Sequence, residues 1–137
     1  MKIVFLGTGT SQGVPVIGCD CNVCQSSDFH DKRLRNSLSI EVDGLRFIVD
    51  CGPDFRQQML RENIKSIDAI LVTHAHKDHI GGLDDVRAFN YINRRPVDVY
   101  ATTAVQKTIR KEFSYAFVSN PYPGVPEPVP ARRLNRR

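Results

Sequence analysis

The segment THAHKDH, residues 73–79, holds three of the four histidines of this 137-residue chain. It follows an apolar run that is typical of a buried strand. Alternate side chains of an extended segment point the same way, so His74 and His76 can bind one metal ion while Asp78 and His79 face a second. Two ions about 3.5–4 Å apart can bind a bridging water and lower its pKa. The segment therefore predicts a hydrolytic two-metal site, with a histidine-rich surface loop as the alternative.

Strands and helices alternate on both sides of this segment. We predict strands over residues 2–6, 38–42, 45–49, 67–72 and 97–101, and helices over about 54–61, 83–93 and 102–117. Asp43-Gly44 separates two of the strands and is typical of a two-residue hairpin turn. The strand at residues 2–6 is apolar enough to be buried. This alternation predicts a fold of α/β layers.

Charge and hydropathy exclude several classes of partner. The net charge is +4, but four positive charges lie at the C-terminus, so the rest of the chain is neutral: Arg132, Arg133, Arg136 and Arg137. A neutral body has no general attraction for phosphate backbones, which makes nucleic acid an unlikely partner. No apolar run approaches the roughly 20 residues that cross a bilayer. We expect a cytoplasmic protein without a membrane partner.

Three of the four cysteines crowd into a loop that spans residues 11–36, where no strand or helix period is visible. They are Cys19, Cys21 and Cys24. A C-x-C-x-x-C spacing lets three thiolates converge on a tetrahedral ion, whereas a lone C-x-C disulfide is strained. The spacing favours a structural zinc site, with three reduced thiols as the alternative.

Residues beyond the motif also bear on the site. Asp50 ends a predicted strand, and metal-bound histidines usually donate their second ring proton to a carboxylate or a carbonyl. Cys51 is better explained as a small buried residue than as a ligand. Gly81-Gly82 lacks side chains and so fits close packing beneath the histidine segment, residues 73–79. Three cations could contact a substrate phosphate, although solvated surface charges are the favoured interpretation: Arg33, Arg35 and Lys77.

The histidine segment resembles the metallo-β-lactamase superfamily. The signature His-x-His-x-Asp-His is matched residue for residue by His74, His76, Asp78 and His79. The resemblance covers residues 1 to about 125. It implies half of a four-layer αββα sandwich, with the metal site at one edge between the two sheets. It also implies that all four residues are metal ligands and that Asp78 takes part in catalysis.

Three further stretches are similar to one branch of that superfamily, which contains the phosphoribosyl cyclic phosphate phosphodiesterase of the carbon–phosphorus lyase pathway. These stretches are residues 7–15, 18–24 and 50–58. The branch implies a structural zinc on the three clustered cysteines, with a histidine from far downstream as fourth ligand. It also implies two divalent ions, zinc or manganese, and a metal-activated water that attacks a small or cyclic phosphodiester.

Other functions stay open, and one is a lactamase or thioesterase, since the metal motif alone does not select phosphorus over carbonyl chemistry. A tRNA 3′-processing endonuclease of the same superfamily resembles the first strand and its glycine turn, but that family usually has glycine where Lys77 stands and lacks the cysteine cluster. The chain could also be a metal-binding fragment without catalytic activity. The superfamily site takes two more histidines and a bridging aspartate from downstream, whereas no histidine follows His79 in this chain.

These departures shape the expected organisation. We expect residues 1–120 to form the N-terminal half of a metallo-β-lactamase-like domain, and residues 121–137, rich in proline and arginine, to lack packed structure. Pro128–Arg137 has the character of a non-native sequence from a shifted reading frame. Open sheet edges and apolar faces predict self-association. His30 is a candidate local fourth ligand for the cysteine zinc.

Overall fold

A computed structural model describes residues 1–117 and the backbone of residues 131–133. The strands are β1 (Lys2–Gly7), β2 (Ser37–Val42), β3 (Leu45–Val49), β4 (Ala69–Leu71), β5 (Asp98–Ala101) and β6 (Ala131–Arg133). The helices are α1 (Asn22–Gln25), α2 (Phe55–Arg61), α3 (Lys77–Ile80), α4 (Arg87–Asn93) and α5 (Thr103–Glu112). Short 3-10 turns cover Phe29–Asp31, Leu83–Val86 and Ser114–Phe117.

The strands form one sheet in the order β1-β2-β3-β4-β5-β6. β2 runs antiparallel to its two neighbours, β1 and β3, whereas β3, β4, β5 and β6 run parallel. Because the carboxyl ends of parallel strands meet at one edge of a sheet, the residues that follow β3 lie beside those that follow β4. The predicted α/β layering is confirmed, and this edge carries the histidine segment.

The predicted hairpin between β2 and β3 is confirmed. Val42 pairs with Leu45, so two residues make the turn. Both have positive φ, 51° at Asp43 and 78° at Gly44, as a turn of this kind requires.

The core lies on one face of the sheet. Strand residues such as Leu6, Ile48 and Ile70 are fully buried and cluster with Phe55 of α2 and Ile109 of α5. An outer helix layer therefore covers this face of the strands.

The opposite face of β1 departs from the sequence prediction of a buried strand. Ile3 is 49% exposed and Phe5 is 67% exposed, whereas Leu6 is fully buried. The reason is that β1 lies at the edge of the sheet and its side chains alternate between two faces, of which the core occupies one.

Helix boundaries also differ from the prediction. The helix expected over about 83–93 divides into the 3-10 turn Leu83–Val86 and α4, and the helix expected over 102–117 ends at Glu112, before a second 3-10 turn. Such turns are common at helix ends. Asp54 precedes α2 as expected but does not cap it through its side chain. Its carboxylate instead accepts hydrogen bonds from the backbone and guanidinium of Arg35, each at 2.8 Å.

The tail at residues 121–137 lies largely outside the described residues, and with it the prediction that Pro128–Arg137 is non-native. We expected no packed structure there, yet the backbone of β6 pairs in parallel with β5. None of the helices among the described residues has the length and apolar character needed to cross a membrane.

Candidate metal centre

The histidine segment begins at the carboxyl end of β4 and continues into α3. His76 has extended backbone angles, φ −70° and ψ 152°, and its carbonyl accepts from the backbone N–H groups of His79 at 2.9 Å and Ile80 at 3.1 Å. Two N–H groups of the first helical turn are thereby satisfied. The change from extended to helical backbone folds Asp78 and His79 back towards the histidines before them.

The structure places the four predicted ligands in one chain of neighbouring side chains, although no three of them have donor atoms that all lie within 4.8 Å of one another. The ring centroids of His74 and His76 lie 4.6 Å apart, and those of His74 and His79 lie 3.9 Å apart. His79 Nε2 lies 3.0 Å from Asp78 Oδ2, so these two donor atoms are close enough to contact the same ion. Imidazole nitrogens and a carboxylate oxygen suit zinc and manganese, and the donor set fits a divalent metal.

Asp50 lies beneath this cluster, immediately after β3. Its side chain accepts hydrogen bonds from His79 Nδ1 at 2.7 Å and from the Thr73 backbone N–H at 2.8 Å. The residue is 5% exposed and has φ 62°, a left-handed conformation that aspartate tolerates better than most residues. The Ser37 hydroxyl donates to the Asp50 carbonyl at 3.1 Å. The sequence predicts that Asp50 supports a ligating histidine, and the contact observed is with His79.

Close backbone packing fixes the segment 50–52 against α3. The Cys51 N–H donates to the His79 carbonyl at 2.8 Å, and the Gly82 N–H donates to the Cys51 carbonyl at 2.9 Å. A Cβ atom at Gly52 would collide with the Asp78 carbonyl, and one at Gly82 would collide with the Gly52 carbonyl. The predicted close packing at Gly82 is confirmed, whereas the matching role of Gly52 was not apparent from the sequence.

Cys51 is fully buried, in keeping with the sequence interpretation. Burial raises the pKa of its thiol well above the ordinary value, and the nearby carboxylates of Asp85 and Asp50 raise it further. A thiol held in its neutral form is a poor metal ligand.

The clustered cysteines form a second candidate site. The sulfur atoms of Cys19, Cys21 and Cys24 lie within 4.8 Å of one another. Among the described residues, this is the one group of three or more histidine, cysteine, aspartate or glutamate donors that is so compact. The pKa of Cys21 is lowered to about 7 by a backbone hydrogen bond at Cys24 and by side-chain hydrogen bonds with Cys19 and Cys24. Three close thiols with a stabilised thiolate fit structural zinc.

His30 lies outside the cysteine group, so the structure does not support it as the fourth ligand. Its Nδ1 lies 2.8 Å from Asp28 Oδ1, and its ring contacts Phe29 at a centroid distance of 3.8 Å. The side chain is 73% exposed.

Two of the three candidate phosphate contacts are engaged elsewhere. The Arg35 guanidinium pairs with Asp54 at 2.8 Å. Lys77 forms an ion pair with Glu112 of α5, and this contact joins the histidine segment to that helix. Arg33 is exposed and pairs through its backbone with Val14.

A cluster of histidine and aspartate side chains at the carboxyl edge of an α/β sheet offers the nitrogen and oxygen donors that divalent metals prefer. Residues 45–135 match the family described as "Beta-lactamase superfamily domain". The chain belongs to the β-lactamase superfamily, and the fold is that of a metallo-β-lactamase-like half-domain.

Among solved structures, a diphosphatase of the PhnP family superposes with a TM-score of 0.86 and 45% identity, over 98% of this chain and 50% of that one. Zinc-bound PqqB from Methylobacterium extorquens shares the fold, with a TM-score of 0.75 and 23% identity over 98% of this chain and 46% of that one. The recognised resemblance to the superfamily is thereby confirmed.

A curated relative from Porphyromonas gingivalis, named octanoyltransferase, is 53% identical over 127 residues, which make up 92% of this chain and 25% of that protein. The name applies to that whole protein, and the match covers a quarter of its length. The chain spans a quarter of this relative and about half of each of the two solved structures.

Proposed function

We propose that this chain supplies metal ligands to a hydrolytic site that cleaves small phosphodiesters, cyclic ones included. The observation that carries the proposal is the His79 ring, which is held between Asp50 at 2.7 Å and Asp78 at 3.0 Å, with the His74 ring 3.9 Å away. The identity of 45% with a PhnP-family diphosphatase supports a phosphoryl over a carbonyl substrate.

The ligands divide into two pairs in this proposal. His74 and His76 would hold one ion, and Asp78 and His79 would hold the other. Two bound divalent ions would supply a water of lowered pKa and positive charge for the phosphoryl oxygens. Zinc or manganese would serve at these positions, and a structural zinc would be held by Cys19, Cys21 and Cys24.

The chain's own residues prepare this site before any ion arrives. His79 Nδ1 would donate to Asp50 at 2.7 Å, and a bound ion would take the Nε2 lone pair on the side where Asp78 Oδ2 lies 3.0 Å away. Asp78 presents a carboxylate oxygen beside that nitrogen, and its catalytic role consists of ligation together with charge at the reacting centre. Backbone contacts at Gly52 and Gly82 keep α3 against the Asp50 segment, so the pair stays aligned.

The test is hydrolysis of bis(4-nitrophenyl) phosphate and of a small cyclic phosphodiester, with zinc or manganese added. Turnover should depend on metal and should be lost in His76→Ala. His30→Ala is the matched control, since it removes an exposed histidine outside the site. Metal-independent turnover, or turnover that survives His76→Ala, would contradict the proposal.

The second candidate is a metal-binding module that does not turn over substrate alone. It is favoured by one observation, namely that the chain covers half of the PhnP-family structure. Metal binding without turnover in the same assay would support this module. Cleavage at the 3′ end of a precursor tRNA, with phosphodiester analogues left intact, would support the nuclease alternative.

A further inference from the structure

The Thr73 hydroxyl lies between the supporting carboxylate and a second histidine of the site. Its Oγ1 is 2.8 Å from Asp50 Oδ2, 3.0 Å from Asp50 Oδ1 and 3.0 Å from His74 Nδ1. The backbone N–H of Thr73 donates to the same carboxylate at 2.8 Å. Asp50 therefore contacts both the side chain and the backbone of the residue that precedes the first histidine.

Counting protons fixes the direction of these hydrogen bonds. A hydroxyl carries one proton, and an ionised carboxylate only accepts, so the Thr73 proton goes to Asp50. The Oγ1 lone pairs are then left to accept, and His74 Nδ1 must be the donor. His74 Nδ1 thus carries a proton, and a neutral ring in this tautomer leaves its Nε2 lone pair available to a metal.

The Asp50 carboxylate also contacts His79. His79 Nδ1 lies 2.7 Å from Asp50 Oδ2 and donates to it directly, whereas His74 reaches Asp50 through the hydroxyl. One aspartate thereby contacts one histidine from each predicted ligand pair, His79 directly and His74 through the Thr73 hydroxyl.

We propose that Thr73 is a positioning residue, which fixes the tautomer and ring orientation of His74 by relaying the Asp50 charge through its hydroxyl. This inference rests on the proposed function for the role of His74 as a ligand. It goes beyond that function because it assigns the orientation of His74 to Thr73, which is not one of the predicted ligands. A hydroxyl suits this task, because one oxygen atom can donate to the carboxylate while it accepts from the imidazole.

The first test is nuclear magnetic resonance of the metal-free protein, with imidazole nitrogens observed through two-bond proton couplings. His74 should show the Nδ1–H tautomer in the wild type and in Thr73→Ser, and should lose that preference in Thr73→Val. An Nε2–H tautomer of His74 in the wild type would overturn the proposal, and this measurement needs no variant that might fail to fold.

The second test is zinc titration by calorimetry, with the cysteine site already loaded. Thr73→Val should weaken zinc binding about tenfold, which is the lower end of the range for loss of a group that orients a ligand. The lower end is expected because Thr73 is exposed, so water can replace part of the lost hydrogen bonding. Thr73→Ser should restore affinity to within about twofold of wild type. Thr108→Val is the matched control, since Thr108 lies on α5 and bonds to the Ala104 carbonyl.

The two proposals fail in different ways. If Thr73→Val keeps wild-type affinity and an Nδ1–H His74, the positioning role is wrong whatever the enzyme does. If tautomer and affinity change as expected while no phosphodiester is cleaved, the positioning role stands and the proposed reaction fails.

Discussion

His79 Nδ1 lies 2.7 Å from Asp50 Oδ2, across 29 residues of sequence and two parallel strands. The contact exists because β3 and β4 run side by side and both end at the same edge of the sheet. A carboxylate at the end of one strand is thus placed beneath a histidine at the end of the next. The arrangement of the candidate metal centre therefore depends on the parallel pairing as much as on the histidine segment.

Replacing Asp50 with asparagine should weaken zinc binding at the histidine site by roughly 10–100-fold, as expected when a carboxylate that orients a ligand is lost. The amide keeps the size of the side chain but removes the charge that holds the His79 Nδ1 proton. Calorimetric titration with zinc measures the effect. Asp43→Asn is the control, because Asp43 lies in the hairpin turn at φ 51° and asparagine tolerates that conformation. Equal affinities for the two variants would contradict the role of Asp50.

Gly82→Ala should lower the free energy of unfolding by about 3 kcal/mol, at the upper end for overpacking, because the new Cβ meets the Gly52 carbonyl. Gly44→Ala is the control: its φ is 78°, but no atom lies within 4 Å of the added Cβ. It should cost about 1 kcal/mol, the penalty of a left-handed conformation. Urea unfolding compares the two, and a Gly82→Ala cost no larger than that of Gly44→Ala would refute the close packing.

Alkylation of the metal-free protein by iodoacetamide should separate the cysteines. The pKa of Cys21 is lowered to about 7, so its thiolate fraction and its reaction rate should rise as pH increases through about 7 and level off above it. Cys51 should stay unmodified until the protein unfolds, because burial raises the pKa of its thiol. Peptide mass spectrometry after timed quenching gives both rates, and added zinc should slow the reaction of Cys21. A modified Cys51 in the folded protein would be inconsistent with its burial.

The sequence predicts self-association from open sheet edges and apolar faces, and we propose that the exposed Ile3 and Phe5 of β1 form the contact between two copies of the chain. Phe5→Glu should raise the dissociation constant of the assembly by about tenfold or more, since it places a charge in an apolar contact. Sedimentation equilibrium measures this constant. Leu60→Glu is a matched control on α2, because Leu60 is 62% exposed and Phe5 is 67% exposed. A wild-type protein that sediments as a compact monomer at all concentrations would rule out the proposal.

Short-range patterns predicted much of this structure. The hairpin at Asp43-Gly44, the strand before the histidine segment and the compact cysteine group all follow from local spacing and turn chemistry. These features depend on neighbours within a few residues, which a single sequence displays directly.

Contacts set by tertiary packing were less accessible to the sequence. The sequence predicts that Asp54 caps α2, but its carboxylate accepts a hydrogen bond from Arg35, which lies 19 residues away in the sequence. Asp50 was a reasonable candidate to support a histidine, yet only the pairing of β3 with β4 identifies His79 as its partner. The need for glycine at position 52 comes from the approach of α3, for which no local signal exists.

The most direct measurement is the metal content of freshly purified protein by elemental mass spectrometry, compared among three forms. The forms are the wild type, the triple Cys19→Ser, Cys21→Ser, Cys24→Ser variant, and the double His74→Ala, His76→Ala variant. The wild type should hold about two or more equivalents, with one lost in the cysteine variant and the remainder reduced in the histidine variant. A histidine variant that retains the full wild-type metal content would show that this segment does not bind metal.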